Sequence, residues 1–300
     1  GSAHVAHAMY SAGLHAQVLH RAMAHGVAAI IERQPHRPWS ILEIGAGTGA
    51  ASAEVIALLD PLVRSGVAVD YLFTDVSGYF LTAARERFAD CPWVRFARFD
   101  MNADLDAHAI VANSLDLVLS SGALNNALDT PALLAGLRDL MSNDSWLVLQ
   151  ELTREHPEIS VSQALMMETS SDIRAERDDL FIHSGQWLQW LSAASGDAAQ
   201  SVVSEGSPLN LLGYDVLIAC CKSSRTRFDA REILEFVGQR VPGYMLPAQL
   251  QAVDRIPTTA NGKLDRKALV ERIVSMSKTG LQSDKEPAAL TPKDRTQQTQ

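Results

Sequence analysis

Glycines recur at alternate positions, Gly45, Gly47 and Gly49, where a short apolar run gives way to a helix-like stretch. Glycine lets the backbone approach a ligand closely, and free amides at a helix N-terminus can bind its polar groups. Glu43 lies two residues before the first glycine, where its carboxylate could reach an amino group of a ligand. Because such turns also occur in purely structural settings, the neighbouring acids decide what this one binds.

Two further acids follow the next two apolar runs. Asp75 ends the run in FTDVS, where an acid can accept both hydroxyls of a ribose. Asp100 follows RF in RFDMN, where it suits an adenine amino group, and Met101 offers an apolar wall for the ring. Each acid alone is equally well explained as a solvated strand end or a helix cap. Together they favour a nucleotide-like ligand, because ligands bind along this edge of open α/β sheets.

Alternating strand-like and helix-like segments must position these residues. Between residues 36 and 222, apolar strands alternate with helices of about 10–14 residues. This order predicts right-handed βαβ units and an α/β fold with a mostly parallel sheet that has helices on both faces.

Three other segments flank this region. Residues 3–35 predict a helix that could cover the ligand as a lid, although core packing explains its apolar face equally well. Residues 228–274 predict a smaller α+β unit. Residues 275–300 are polar, and their composition predicts a disordered linker.

Composition narrows the functional class. The 300 residues are 47% hydrophobic and carry a net charge of −9, which indicates a globular core and argues against a nucleic-acid partner. No apolar run approaches the ~18 residues of a membrane span, so no membrane partner is expected. Cys91, Cys220 and Cys221 have neither metal-site spacing nor an even number for disulfides. They predict a reduced, cytoplasmic compartment and no metal site.

The glycine turn with Glu43, Asp75 and Asp100 resembles class I S-adenosylmethionine methyltransferases over roughly residues 36–221. The resemblance implies a Rossmann-like α/β fold with S-adenosylmethionine as cofactor. It also implies that the acid at 43 meets the methionine moiety through the turn. The acid at 75 would then hold the ribose, and the acid at 100 would recognise adenine.

Two motifs in the last third of the chain have a different origin. VPGYMLP (241–247) and NGKLDRKAL (261–269) are similar to the last two core motifs of adenylation domains from nonribosomal peptide synthetases. In that family a lysine at the position of Lys263 contacts the acyl-adenylate. A basic surface turn would explain NGK alone, but the two motifs together are specific. Because the sequence lacks a counterpart of the large N-terminal adenylation segment, we do not expect this chain alone to activate an amino acid.

The order of these segments resembles tailoring domains inserted in the adenylation domains of siderophore synthetases of the pyochelin and yersiniabactin type. The resemblance implies two partners, the adenylation core domain and a peptidyl carrier protein domain that holds the substrate as a phosphopantetheine thioester. A homodimer of the whole synthetase is compatible with it. Such insertions either methylate nitrogen or carbon, or epimerise a cysteine-derived residue.

The residues after the fourth and fifth strands bear on this choice. In polyketide carbon-methylating domains, which are related, a histidine after the fourth strand pairs with a glutamate after the fifth; this chain has Asn125 and Glu151. Epimerisation needs only a base and donors for an enolate oxygen. Desolvation would raise the pKa of Glu151 towards that of a useful base, and Asn125 and Asn126 could be the donors. His183 and His156 are the histidines best placed in sequence to join them.

These residues also have simpler interpretations. Each histidine could be a surface or packing residue, the asparagine pair could cap the helix near Thr130, and Glu151 could be an ordinary strand-end acid. Our first hypothesis is an epimerase acting on a carrier-bound aryl-thiazoline or cysteinyl thioester. The second is an S-adenosylmethionine-dependent methyltransferase in the same context, which the intact cofactor motif favours. The third is a catalytically silent docking or dimerisation domain.

Overall fold

The computed structural model describes residues 13–156, 167–222, 230–248, 250–253, 256–259 and 263–279. The chain divides into two compact units, Gly1–Arg225 with Asp254–Leu264, and Thr226–Val253 with Asp265–Gln300. Residues 3–12 of the predicted lid segment 3–35 and residues 280–300 of the predicted linker 275–300 lie outside the described residues. Residues 275–279, which the composition assigned to the disordered linker, belong instead to the helix that ends at Thr279.

The first unit is an α/β structure, as the alternating pattern predicted. Its elements, in chain order, are α1 (Leu14–Glu32), β1 (Trp39–Ile44), α2 (Ala50–Arg64), β2 (Val69–Asp75), α3 (Gly78–Arg87), β3 (Val94–Arg98), a 3₁₀ turn (Leu105–His108), β4 (Leu115–Ser121), a 3₁₀ turn (Leu124–Asn126), α4 (Thr130–Leu140), β5 (Met141–Leu152), α5 (Ile173–Arg177), α6 (Ser184–Ser195), β6 (Gln200–Ser201), α7 (Pro208–Leu211) and β7 (Tyr214–Cys221).

A seven-stranded sheet orders these strands as β3-β2-β1-β4-β5-β7-β6. Strands β1 to β5 pair in parallel, and β7 runs antiparallel to both β5 and β6. The chain reverses its direction of strand addition between β1 and β4, and ligands of open α/β sheets bind beside such a switch point. The glycine turn after β1 and the loop after β4 therefore share one edge.

Helices cover both faces of the sheet. Every residue of β1 is buried, which is typical of a central parallel strand. In α1 the buried residues Leu19, Met23, Val27 and Ile31 recur every four positions and join one core layer. Trp187 and Leu191 of α6 join the other layer. The described part of the N-terminal segment is thus a core helix, which was the alternative to a lid.

The second unit contains α8 (Ala230–Gly238), a 3₁₀ turn (Gly243–Met245) and α9 (Arg266–Thr279). Thr258, Thr259, Lys263 and Leu264 group with the first unit instead. Thr258 bridges Leu264, and the Thr259 amide donates to the carbonyl of Lys263 at 2.7 Å. Lys263 is exposed, and residues 260–262 before it lie outside the described set. The assignment of these motifs to an adenylation domain stays a prediction.

Two searches of the described residues bear on other classes of site. None of the helices is long and apolar enough to cross a membrane. No group of three or more His, Cys, Asp and Glu side chains is arranged to hold a metal ion in this part of the chain.

Candidate functional site: a glycine cradle beside a closed carboxylate

The glycine turn folds into a cradle because its backbone takes left-handed conformations. Gly45, Gly47 and Gly49 have φ angles of 64°, 53° and 71°. Residues with a Cβ rarely adopt these angles. A Cβ on Gly45 would also lie 2.3 Å from the Cβ of Ala123, so the turn packs directly against the loop after β4. Gly49 is the N-cap of α2, which starts immediately after the cradle.

Asp75, at the end of β2, holds the cradle from the side. One carboxylate oxygen accepts the Gly47 amide at 2.9 Å, and the other accepts the Ser77 amide at 2.7 Å. A carboxylate oxygen has more than one lone pair, so these bonds orient Asp75 and leave acceptor capacity for hydroxyl groups. The sequence prediction placed Asp75 beside the turn, and the structure brings the two into direct contact.

Glu43 lies fully buried at the end of β1. Its Oε2 accepts hydrogen bonds from Ser52 Oγ and Tyr71 Oη, both at 2.7 Å. Its Oε1 receives no hydrogen bond from any of the described residues. Burial raises the pKa of Glu43 to about 7 against the opposing effect of the two hydroxyl donors. A buried carboxylate with one unsatisfied oxygen is costly to fold, which indicates a role other than stability.

Asp100 and Met101 begin the loop after β3. Asp100 Oδ1 accepts the Asn102 amide at 3.0 Å, and the Asp100 carbonyl contacts His108 Nε2 at 2.9 Å. The His108 ring packs on Phe99 with 4.3 Å between centroids, which fixes the loop from below. Met101 is half-buried against the core layer of α4 and α6. The glycine cradle, Asp75 and Asp100 therefore lie where three strands end along one edge of the sheet, an arrangement that can hold a nucleoside.

Glu151 and Asn125 form a closed pair on the other side of the switch point. Glu151 is fully buried and accepts the Leu124 amide at 2.9 Å and Asn125 Nδ2 at 2.8 Å, one on each oxygen. Asn125 Nδ2 also donates to the Leu152 carbonyl, and its Oδ1 accepts the Ile182 amide. Both hydrogens of the Asn125 amide are thus used within the protein. The predicted role of Asn125 as a donor to an enolate is not supported by these contacts.

The raised pKa that the sequence analysis expected for Glu151 is present in the structure, but free access to its carboxylate is not. Burial raises the pKa of its carboxyl to about 7, although the Leu124 and Asn125 donors oppose the shift. A pKa in this range suits a general base. The side chain is nevertheless enclosed and fixed to the loop after β4, so a substrate proton could reach it only if that loop moved.

The contacts described for the other predicted residues are to different groups. Asn126 is exposed, and its Nδ2 bonds the Ala123 carbonyl in its own turn. His183 is the half-exposed N-cap of α6, 3.4 Å from Asp179. His156 is buried, with its ring 5.3 Å from that of Tyr214. The alternative that the asparagine pair caps α4 is wrong, because Asp129 is the N-cap and accepts the Ala132 amide.

Sequence reasoning missed Arg174 and Asp172, which are paired at 2.7 Å with almost no exposed side-chain surface. Arg174 donates to the carbonyls of Asn125 and Ala127, more than 40 residues away in the chain. The two residues stand in an unremarkable polar segment, SSDIRAERDD. The carbonyls that this buried ion pair holds belong to a loop distant in the chain, so the contact leaves no local signal in the sequence.

Comparison with known proteins agrees with this architecture. Residues 42–147 match the family model described as a methyltransferase domain. Pyochelin synthetase PchF of Pseudomonas aeruginosa is 67% identical over 269 residues, which are 90% of this chain and 15% of that protein. The chain therefore spans less than a sixth of the length of this relative.

Solved structures share the fold. The CurJ carbon methyltransferase superposes with a TM-score of 0.67 at 23% identity and covers 73% of this chain and 58% of its own. The trans-methyltransferase CalH, solved in complex with SAH, gives 0.55 at 24% identity over 65% of this chain and 54% of its own. With the strand order and the glycine cradle, these similarities show that the first unit has the Rossmann-like α/β fold of methyltransferases.

Proposed function

We propose that this chain contains an S-adenosylmethionine-dependent methyltransferase domain of a nonribosomal peptide synthetase. It acts on an amine nitrogen of a cysteine-derived acyl group held as a thioester on a carrier domain. The synthetase context is supported by the 67% identity to a pyochelin synthetase and by the adenylation-like motifs that follow the fold. The adenylation core and the phosphopantetheine-bearing carrier are the partners that this context supplies.

The observation that carries the proposal is the unsatisfied Oε1 of Glu43. An unpaired buried acceptor costs about 1–3 kcal/mol, which a bound donor would recover. The ammonium of the methionine moiety is such a donor, and its charge would stabilise the ionised carboxylate. The residues present fit the cofactor, because a Cβ on Gly47 would have only the Gly45 carbonyl within 4 Å, which leaves open space beside the turn, and Asp75 keeps acceptor capacity for a ribose.

Each group of the cradle has a definable task. Asp75 would accept the ribose hydroxyls, Asp100 would accept the adenine amino group, and Met101 would cover the ring. S-Adenosylmethionine supplies a methyl group on a sulfonium, which makes that carbon electrophilic. The loop after β4 lies next to Gly45 through Ala123 and would exclude water from the space between cofactor and acceptor.

The closed Asn125–Glu151 pair favours nitrogen over carbon as the acceptor. Carbon methylation or epimerisation requires removal of an α-hydrogen, and therefore a base with access to it. Both oxygens of Glu151 are engaged by the loop after β4, and both hydrogens of Asn125 are used. A neutral sp³ amine attacks with its own lone pair, and the product ammonium loses its proton to water. Such an acceptor requires only binding and orientation from the protein.

The experiment is intact mass spectrometry of carrier-bound acceptors in D₂O, with and without S-adenosylmethionine. A cysteinyl or thiazolidine thioester should gain about 14 mass units only with cofactor, with no uptake of deuterium at the α-carbon. A thiazoline thioester, which lacks an sp³ amine, should gain nothing. Deuterium uptake at the α-carbon without cofactor would instead establish the epimerase. A carrier that is bound but neither methylated nor exchanged would establish a silent docking domain.

A further inference from the structure

The loop after β4, residues 122–130, is held by two segments that belong to opposite sides of the site. Its first part packs on the glycine cradle through Ala123, and its middle part approaches the loop after β3. Its other side faces residues 171–182, the described segment that follows β5. The backbone of 124–128 thus lies between the region assigned to the cofactor and the segment beside Glu151.

Asn102 holds the loop from the cofactor side. Its Nδ2 donates to the Asn126 carbonyl at 3.1 Å, and its Oδ1 accepts the Leu128 amide at 2.8 Å. The side chain therefore pairs with the loop backbone as another strand would. The backbone amide of Asn102 donates to the Asp100 carboxylate, so Asp100, which the proposed function assigns to adenine, helps to position the Asn102 residue.

Arg174 holds the same loop from the opposite side. Its guanidinium donates to the Asn125 and Ala127 carbonyls, the two that alternate with the Asn126 carbonyl taken by Asn102. Asp172 fixes the guanidinium and also accepts the Thr130 amide at 3.1 Å. The Ser171 amide donates to the Leu128 carbonyl at 2.7 Å, and the Ile182 amide donates to Asn125 Oδ1 at 3.0 Å.

We infer that Asn102 and Arg174 are positioning residues that form a two-sided clamp on residues 125–128. Through this clamp, the cofactor bound at Asp100 and Met101 orders the segment 171–182 on the acceptor side. This inference rests on the proposed function, since it names residues that connect the two halves of the methyltransferase site.

The clamp acts through consecutive backbone groups, which is why it can transmit order. The Asn125 and Ala127 carbonyls that Arg174 pairs are buried and must stay paired. A movement of the loop away from Asn102 would therefore strain these bonds as well. A ligand that rigidifies the loop after β3 lowers the entropy that remains to be lost by the segments bonded to the same loop. The effect should therefore appear as added protection of amides that contact no part of the cofactor.

The test is hydrogen–deuterium exchange of the full chain, with and without saturating S-adenosylhomocysteine. In the unmodified protein the ligand should slow exchange at Ser171 and Ile182 by about tenfold, equivalent to about 1.4 kcal/mol. In Asn102→Ala the ligand should still bind at high concentration, but the slowing at these amides should fall below about twofold. Asn102 is exposed, so this variant should fold.

Arg174→Lys tests the other side of the clamp. Lysine keeps the charge beside Asp172 but lacks the planar fork whose two nitrogens reach the Asn125 and Ala127 carbonyls separately, so the ligand should protect Leu128 and no longer protect Ile182. Arg177→Met, an exposed arginine of the same helix, is the matched control and should behave as the unmodified protein. Failure of the unmodified chain to bind the ligand would contradict the proposed function. Binding with unchanged exchange at 171–182, or equal protection in Asn102→Ala, would overturn the clamp alone.

Discussion

Glu43 and Glu151 occupy equivalent places on two sides of the switch point, yet their surroundings differ. Both are fully buried near strand ends, and burial raises the pKa of each to about 7. Glu43 keeps one oxygen without a donor among the described residues, whereas both oxygens of Glu151 accept bonds from the loop after β4. One carboxylate keeps an acceptor that the proposed function assigns to a ligand, and the other is used to build the loop.

The two halves of the candidate site therefore differ in how far their polar groups are satisfied within the protein. On the side of the glycine cradle, Glu43 keeps an acceptor without a donor among the described residues, which under the proposed function suits a polar ligand. On the side of Glu151, the carboxylate and the Asn125 amide are satisfied within the protein, so under the same proposal this side provides shape and few chemical groups. A reaction in which the acceptor brings its own nucleophile suits that division.

A side chain at Gly45, where the cradle packs on the loop after β4, should have the largest effect. Gly45→Ala places a Cβ 2.3 Å from that of Ala123, on a residue whose φ is 64°. We expect the affinity for S-adenosylhomocysteine, measured by calorimetry, to fall by about 100-fold or more, since the loop after β4 must move. Gly196→Ala is the control, because Gly196 has a φ of 74° and open space around it. Equal affinity losses in the two variants would show that the cradle is not the binding site.

Glutamine at the two buried positions should change stability in opposite directions. In Glu43→Gln the amide oxygen keeps the Ser52 and Tyr71 bonds, while the NH₂ group takes the unpaired position of Oε1. At pH 8 the removal of a buried charge outweighs that unpaired donor, so the free energy of unfolding should rise by about 1 kcal/mol. In Glu151→Gln the new NH₂ group meets either the Leu124 amide or Asn125 Nδ2, so it should fall by about 2 kcal/mol. Urea denaturation measures both, and a change of the same sign would contradict the comparison.

The pH dependence of stability follows from the same pKa values. Each folded pKa, about 7, lies above the ordinary value of 4.5, so the folded protein binds the additional proton between these limits. Stability should therefore be highest below about pH 4.5 as far as these groups are concerned, and should fall by about 3 kcal/mol per carboxyl as the pH rises to 7. Urea titrations from pH 5 to 8 should show a shallower fall in Glu43→Gln than in the unmodified protein.

A smaller effect on ligand affinity is expected at Asp75, which the proposed function assigns to the ribose. Asp75→Asn keeps one acceptor for the Gly47 or Ser77 amide but loses the charge, so ligand affinity should fall by about tenfold. The free energy of unfolding should fall by about 1 kcal/mol, less than in Glu151→Gln, because the new NH₂ group meets a backbone amide at a site that is only partly buried. Calorimetry and urea denaturation separate the two effects. Unchanged affinity would remove Asp75 from the site.

The smallest effect should be at His183, which is half-exposed and paired with Asp179. His183→Ala should change the rate of methyl transfer by less than about twofold, because surface pairs of this kind contribute little. A single-turnover assay on the carrier-bound acceptor measures the rate. A loss of 100-fold would mean that His183 takes part in the chemistry and that the acceptor side is not closed.

That Gly45, Asp75 and Asp100 lie along one edge of the sheet was predictable because its signals are local, whereas their roles towards a cofactor stay a prediction. Gly45 directly follows β1, Asp75 is the last residue of β2 and Asp100 lies two residues beyond β3. Parallel strands bring their carboxyl ends to one edge regardless of the rest of the chain. The α/β fold followed from the same alternation. The acceptor half was not predictable to this degree. Whether Asn125 and Glu151 are available depends on Ile182 and Arg174, which reach them from distant segments.

Proton release on ligand binding is the most direct test of whether the unpaired Oε1 of Glu43 binds the ligand. We would titrate S-adenosylhomocysteine calorimetrically into the unmodified protein and Glu43→Gln at pH 7, in two buffers with different ionisation enthalpies. An ammonium bound at Oε1 would lower the pKa of a carboxyl that is about 7 in the free protein, so binding should release about half a proton. Glu43→Gln should bind more weakly and release none. Equal affinity and equal proton release in the two proteins would contradict the assignment of Glu43, and no binding at all would contradict the methyltransferase.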